Sequence, residues 1–154
     1  MGAIILDGRL LATKIRTQVA KDVKELKKQG IVPGLAVVLV GSDTASEIYV
    51  RNKSKAAIEA GVATYDYRMP ADTNQVELLT LVEKLNRDED VDGILVQLPL
   101  PDSVDADVIQ DSIYPTKDVD GFHPENIGRL SQGRPRFVAA TPLGCERLLA
   151  EHGF

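Results

Sequence analysis

Tyr49 and Lys53 stand four residues apart in a run of helix formers, so they share one helix face. Ile48 and Val50 flank the tyrosine. A lysine beside an aromatic ring in a partly apolar cleft loses hydration. That lowers its pKa and makes a neutral amine available for proton transfer. The plainer reading of the same spacing is an exposed helix face with no chemistry. Gln97 closes a buried apolar run. A polar amide there must hydrogen-bond or pay its desolvation. It either caps strand-end backbone groups, or it meets a polar ligand or orients the lysine. Asp118 and Asp120 flank Val119 in Lys117-Asp118-Val119-Asp120-Gly121. In an extended segment alternate residues point the same way, so both carboxylates can face one cleft. A carboxylate can accept two hydrogen bonds from adjacent N–H groups, as on a pterin or guanine-like ring. For Asp118 the favoured reading is an Asx-turn leading into Gly121.

The remaining reactive residue types carry less. A divalent metal at the aspartates has no supporting ligand cluster, so no metal is expected. His123 is read as structural, with a place on the rim of the aspartate site as its alternative. His152 falls in a final helical turn, where a partly positive imidazole suits the dipole. Cys145 has no base nearby in sequence and is read as packing. The Tyr-x-x-x-Lys spacing is also the catalytic pair of short-chain dehydrogenases. Those enzymes need a glycine-rich turn near the amino end, and no G-x-G-x-x-G exists here.

The elements that must hold these residues follow from composition and periodicity. The chain has 154 residues, enough for one domain with a real core. With 44% hydrophobic and 27% charged residues it is globular rather than disordered. The longest aliphatic stretch, residues 35–40, is far short of the ~20 residues of a membrane helix. No signal peptide is visible, and a cytoplasmic location is expected. The single cysteine excludes an internal disulfide and a zinc cluster built on paired thiolates. A net charge of −5 argues against a general nucleic-acid binder.

An apolar run at residues 3–6 ends at the Asp7-Gly8 turn signal. Leu11, Ile15, Val19, Val23 and Leu26 then mark one face of a long amphipathic helix, with Gly30 at its carboxyl end. Residues 35–40 read as a strand buried on both sides. A helix is expected over 43–60, stopping at Gly61, and a strand over 62–68. Asn74 and Glu77 resemble a capping box. The helix they open runs to about Asn86 and buries Val76, Leu79, Val82 and Leu85. Residues 93–97 are a second buried strand, closed by Leu98-Pro99-Leu100-Pro101. A short helix is expected over 104–112, a structured loop over 117–123, and a last helix over 142–152 with Pro142 near its first turn. Strands alternating with helices predict an α/β fold, a three-layer αβα domain with a mostly parallel sheet. In such sheets ligands gather at the carboxyl ends of the strands. Gly41-Ser42-Asp43 and Gln97-Leu98-Pro99 fall there.

Taken together, these motifs resemble one family. They are residues 37–42 (Val-Val-Leu-Val-Gly-Ser) followed by Ala45-Ser46 and Tyr49-Val50-x-x-Lys53, then residues 93–101. Lys117-Asp118-Val119-Asp120-Gly121-Phe122-His123-Pro124 and Thr141-Pro142-x-Gly144 complete the set. The family is the bifunctional methylenetetrahydrofolate dehydrogenase/methenyltetrahydrofolate cyclohydrolase, and the resemblance runs along essentially the whole chain. It implies oxidation of a bridging methylene on tetrahydrofolate by NADP, giving a methenyl cation. Water then opens that cation to 10-formyltetrahydrofolate. By the same resemblance Lys53 handles the proton of the hydrolytic step and positions the reacting end. Tyr49 packs on the folate ring, Gln97 contacts and tunes Lys53, and Asp120 binds the pterin edge. Backbone groups of Val96 and Leu98 also meet the pterin.

The resemblance implies a division of the chain as well. Residues 1–140 are expected to form the folate-binding catalytic domain, and 141–154 the start of a helix leading to a Rossmann domain. That domain and its glycine-rich phosphate loop are absent from these residues. No cofactor is therefore expected on this chain alone, and no dehydrogenase activity. The whole family member is expected to be a homodimer and this piece a monomer. The alternative function is a non-catalytic module that binds folate or a partner.

Overall fold

The computed structural model describes residues 5–154, so the apolar run at 3–6 lies partly outside the described residues. The element order is α1 (Gly8–Lys28), β1 (Gly34–Val40), α2 (Thr44–Glu59), β2 (Ala63–Met69), α3 (Gln75–Arg87), β3 (Gly93–Val96), α4 (Ala106–Ser112), α5 (Pro124–Ser131) and α6 (Ala140–Glu151). The three strands pair in parallel in the order β2-β1-β3. This is the expected three-layer arrangement, because each strand returns to the sheet through a helix.

β1 is central, and its side chains divide the core by simple alternation. Ala36, Val38 and Val40 face a cluster with Leu78, Val82 and Leu85 of α3 and Ile109 of α4. Val37 and Leu39 face the opposite side, with Leu95 and with Val50 of α2. A strand sandwiched this way has no place for polar residues, which explains the unbroken aliphatic run.

Local signals fix the helix starts. The Asp43 carboxylate accepts from Ser46 N at 2.7 Å and opens α2. Asn74 and Glu77 form the reciprocal capping box of α3. The buried face of α3 differs from the expected one. Leu78, Val82 and Leu85 are buried, whereas Val76 is 71% exposed and Leu79 only partly covered. Steps of four and three from Leu78 define the stripe, and Val76 lies two residues off it. On α1 only Val23 of the expected face is fully buried, and Val19 is exposed. α1 lies beside the carboxyl half of α2 rather than on the sheet. Thr13, Arg16, Thr17 and Ala20 border a cleft of about 360 Å³ with Ala56 and Glu59. α5 was not expected from periodicity. It begins at Pro124, with His123 Nδ1 accepting from Glu125 N at 3.0 Å.

The start of the sheet is held by backbone crowding. A Cβ on Gly34 would lie 1.9 Å from Asp90 O, while Gly34 N donates to Asp92 Oδ2 at 2.8 Å. Gly34→Ala must push the Asp90 turn away. It is expected to cost about 1–3 kcal/mol. Equilibrium urea unfolding checks this, and an unchanged midpoint contradicts it.

Candidate active site

α2 starts just beyond the carboxyl end of β1 and carries Tyr49 and Lys53 along one face. The Tyr49 ring is 62% exposed, and Lys53 one turn later is half-buried. Lys53 Nζ donates to Gln97 Oε1 at 3.1 Å. Gln97 directly follows β3, and its own N donates to Val38 O at 2.8 Å. Its Nε2 donates to Leu98 O at 2.7 Å. The amide is thus fixed by both of its polar ends. One side chain thus both caps a backbone carbonyl and accepts from Lys53.

The Lys117–Gly121 segment runs beside β3. Ile94 N donates to Lys117 O at 2.7 Å, and Ile94 and Asp118 form a parallel bridge. Asp120 follows in the turn that starts at this bridge, where Gly121 N donates to Asp118 O at 3.3 Å. Burial pushes the Asp120 carboxyl above the usual carboxylate range. The Lys53 ammonium opposes that shift, and the Asp118 carboxylate adds to it. The charge on Lys53 therefore reaches the Asp120 carboxyl. Val96 is buried, and Leu98 is 37% exposed beside them.

Asp118 has a different place. It is 1% exposed, and its Oδ1 accepts from Gly121 N at 3.1 Å. This is the turn into Gly121 that its sequence suggested, with Gly121 at φ +71°. His123 caps α5 and His152 Nδ1 lies 2.9 Å from Leu148 O, so both serve helix ends. Cys145 is exposed on α6, which corrects its reading as a packing residue. α6 buries no residue, so that helix offers the thiol no core to pack into. Among the described residues no three His, Cys, Asp or Glu side chains converge as metal ligands. No helix there is long and apolar enough to cross a membrane.

A parallel α/β domain with a lysine, an amide and a half-buried carboxylate near its strand ends has the layout in which such folds build small-molecule sites. Residues 6–120 match the family described as tetrahydrofolate dehydrogenase/cyclohydrolase, catalytic domain. The chain belongs to that family. It is 54% identical over 153 residues to bifunctional protein FolD 2 of Roseobacter denitrificans, covering 99% of this chain and 51% of that protein. It is 52% identical over 151 residues to FolD of Pelobacter propionicus, covering 98% and 53%. Among solved structures, the FolD dehydrogenase/cyclohydrolase of Campylobacter jejuni superposes with a TM-score of 0.94 at 45% identity, over 97% of this chain and 53% of that one. The Trypanosoma brucei enzyme, solved with NADP cofactor and an inhibitor, superposes at 0.95 with 34% identity, over 100% and 54%. The chain spans about half the length of the relatives it matches.

Proposed function

We propose that this chain forms the folate site of a bifunctional 5,10-methylenetetrahydrofolate dehydrogenase and 5,10-methenyltetrahydrofolate cyclohydrolase. One observation carries the reading. Lys53 Nζ, held at 3.1 Å by Gln97, shares its electrostatic surroundings with the half-buried Asp120. The pterin lies with its adjacent N–H donors on Asp120, and its ring is covered by Tyr49. Backbone groups of Val96 and Leu98 border it. The one-carbon unit then faces Lys53.

In the hydrolytic step water adds to the methenyl carbon and loses a proton, and the carbon's bond to one ring nitrogen breaks. The product is the 10-formyl compound. Lys53 is the group that takes and returns the proton. Gln97 Oε1 accepts a hydrogen from Nζ at 3.1 Å, so it fixes the direction of the remaining positions.

NADP supplies the hydride acceptor for the oxidative half in the whole protein. The residues described here do not fit it. The β1–α2 turn has a single glycine, and the amino end of α2 already binds the Asp43 carboxylate through Ser46 N. No step through NADP is assigned to these residues. The 154-residue chain is expected to reduce no NADP in the presence of 5,10-methylenetetrahydrofolate. NADPH absorbance rising with enzyme concentration would contradict this. A cytoplasmic location and a homodimer for the whole protein go with this reading.

Titration calorimetry with 5-formyltetrahydrofolate, a stable folate probe, tests the site. Saturable binding is expected, weakened about 3- to 10-fold in Tyr49→Ala through loss of ring contact. Absence of binding to the folded chain would remove the proposal. Binding without hydrolysis of 5,10-methenyltetrahydrofolate would favour a non-catalytic folate module instead.

A further inference from the structure

Asp118 is 1% exposed, and its carboxylate is turned inward onto three hydrogen-bond donors of its own chain. Oδ1 accepts from Gly121 N at 3.1 Å, and Oδ2 accepts from His123 N at 2.8 Å and from Asn126 Nδ2 at 2.9 Å. All three partners are N–H donors, so only a group with acceptors on both sides satisfies them. An amide cannot. In either orientation its NH2 would face another N–H. Asn126 is fully buried, and its Nδ2 also donates to Pro115 O at 2.9 Å. The Asp118 side chain therefore folds the segment on both sides of Asp120 into one rigid turn. Val119, between the two aspartates, is seated directly on β3. A Cβ on Gly93 would come within 2.5 Å of Val119 Cγ1. Gly93 is the hollow that lets the segment approach the strand.

We infer that Asp118, together with the seat of Val119 on Gly93, is the positioning device that aims the Asp120 carboxylate into the folate cleft. The inference rests on the proposed folate reading. Asp118 is a positioning residue in this scheme and touches no ligand. It extends the site inward to residues remote from the ring: an acid chosen for its two acceptors, and a glycine chosen for its missing Cβ.

A double-mutant cycle on the 154-residue chain, read as affinity for 5-formyltetrahydrofolate, tests it. Asp118→Asn is expected to weaken binding about tenfold when Asp120 is present, and by less than about twofold in an Asp120→Asn background. A general loosening of the fold would instead lower affinity equally in both backgrounds, and that result overturns the inference. So does an undiminished affinity in Asp118→Asn. Should Asp118→Asn fail to fold, Gly93→Ala reads the same device without touching a hydrogen bond. It is expected to weaken the probe about tenfold, and Val119→Ala in that background is expected to restore most of the loss by removing the clashing methyl. Gly93→Ala with normal affinity, or without rescue, overturns the inference. If Asp120→Asn alone binds as tightly as the parent chain, it is the folate reading that fails, and the positioning role goes with it.

Discussion

Lys53→Met is expected to abolish hydrolysis of 5,10-methenyltetrahydrofolate, lowering any rate shown by the parent chain about 10²- to 10⁴-fold, the usual worth of a positioned acid–base group. The substitution keeps most of the aliphatic stem, so the cover that Lys53 gives the cleft persists. It deletes one hydrogen bond, to Gln97 Oε1. Gln97 is only half-buried and stays anchored through Nε2 to Leu98 O, so water can replace the lost donor. Folding is expected to be nearly unaffected, while probe binding changes little. Loss of absorbance of the methenyl compound reads the rate, and circular dichroism the fold. An unchanged rate removes the lysine from the mechanism. A second reading comes from the acid. Lys53 is the charge that holds the Asp120 carboxyl down against burial and Asp118. Without it, the Asp120 titration followed by carboxyl NMR is expected to move further up. A midpoint that stays put would mean that the two groups do not share a cleft.

The parts of this site that were legible in the sequence are those set by local rules. Helical spacing puts Tyr49 and Lys53 on one face without help from the rest of the fold. Asp43 and Asn74 fix where α2 and α3 begin, since short side chains with an acceptor satisfy amino-terminal N–H groups. The unbroken aliphatic stretch of β1 required cover on both faces, and the two core clusters supply it. What was not legible depends on contacts far apart in the chain. Apolar spacing alone placed Val76 on the buried face of α3. The position of the sheet chose Leu78. Residues 124–131 have too few apolar repeats to announce a helix, although His-Pro-Glu is a fair start signal in retrospect. Asn126 gave no sign at all. Its value lies in a contact with Asp118 that only the folded turn creates. Gly93 looked like an ordinary strand start, and its role appears only when Val119 is laid over it. Lys117 is a similar case. Its Nζ caps the carboxyl end of α3 through Leu85 O at 3.1 Å and Asp88 O at 2.7 Å, tying the aspartate segment to a helix thirty residues away.

Asp120→Asn is expected to separate stability from binding. The Asp120 carboxyl is raised in the folded chain, chiefly by burial. An acid whose folded pKa lies above its unfolded value, near 3.9, binds its proton more tightly in the folded state. Its contribution to stability is complete below the unfolded pKa and is lost as pH rises through the folded one. At pH 7 the ionised group therefore burdens the empty domain, and an amide of the same shape does not. Asp120→Asn is expected to raise the melting temperature at pH 7 and to leave it nearly unchanged at pH 3, where both side chains are neutral. Melting curves across that range check the sign, and a lower melting temperature at pH 7 contradicts it. In the proposed site the same substitution removes the charged acceptor from the pterin edge. Hydrogen bonds to a charged group are worth about 1.5–3 kcal/mol, so affinity for 5-formyltetrahydrofolate is expected to fall about 10- to 100-fold. A group that only packed the cleft would show neither effect. One that stabilised the fold would show the opposite sign at neutral pH. Gain of stability with loss of ligand, both tied to the ionised form, is what a carboxylate retained for its substrate must show.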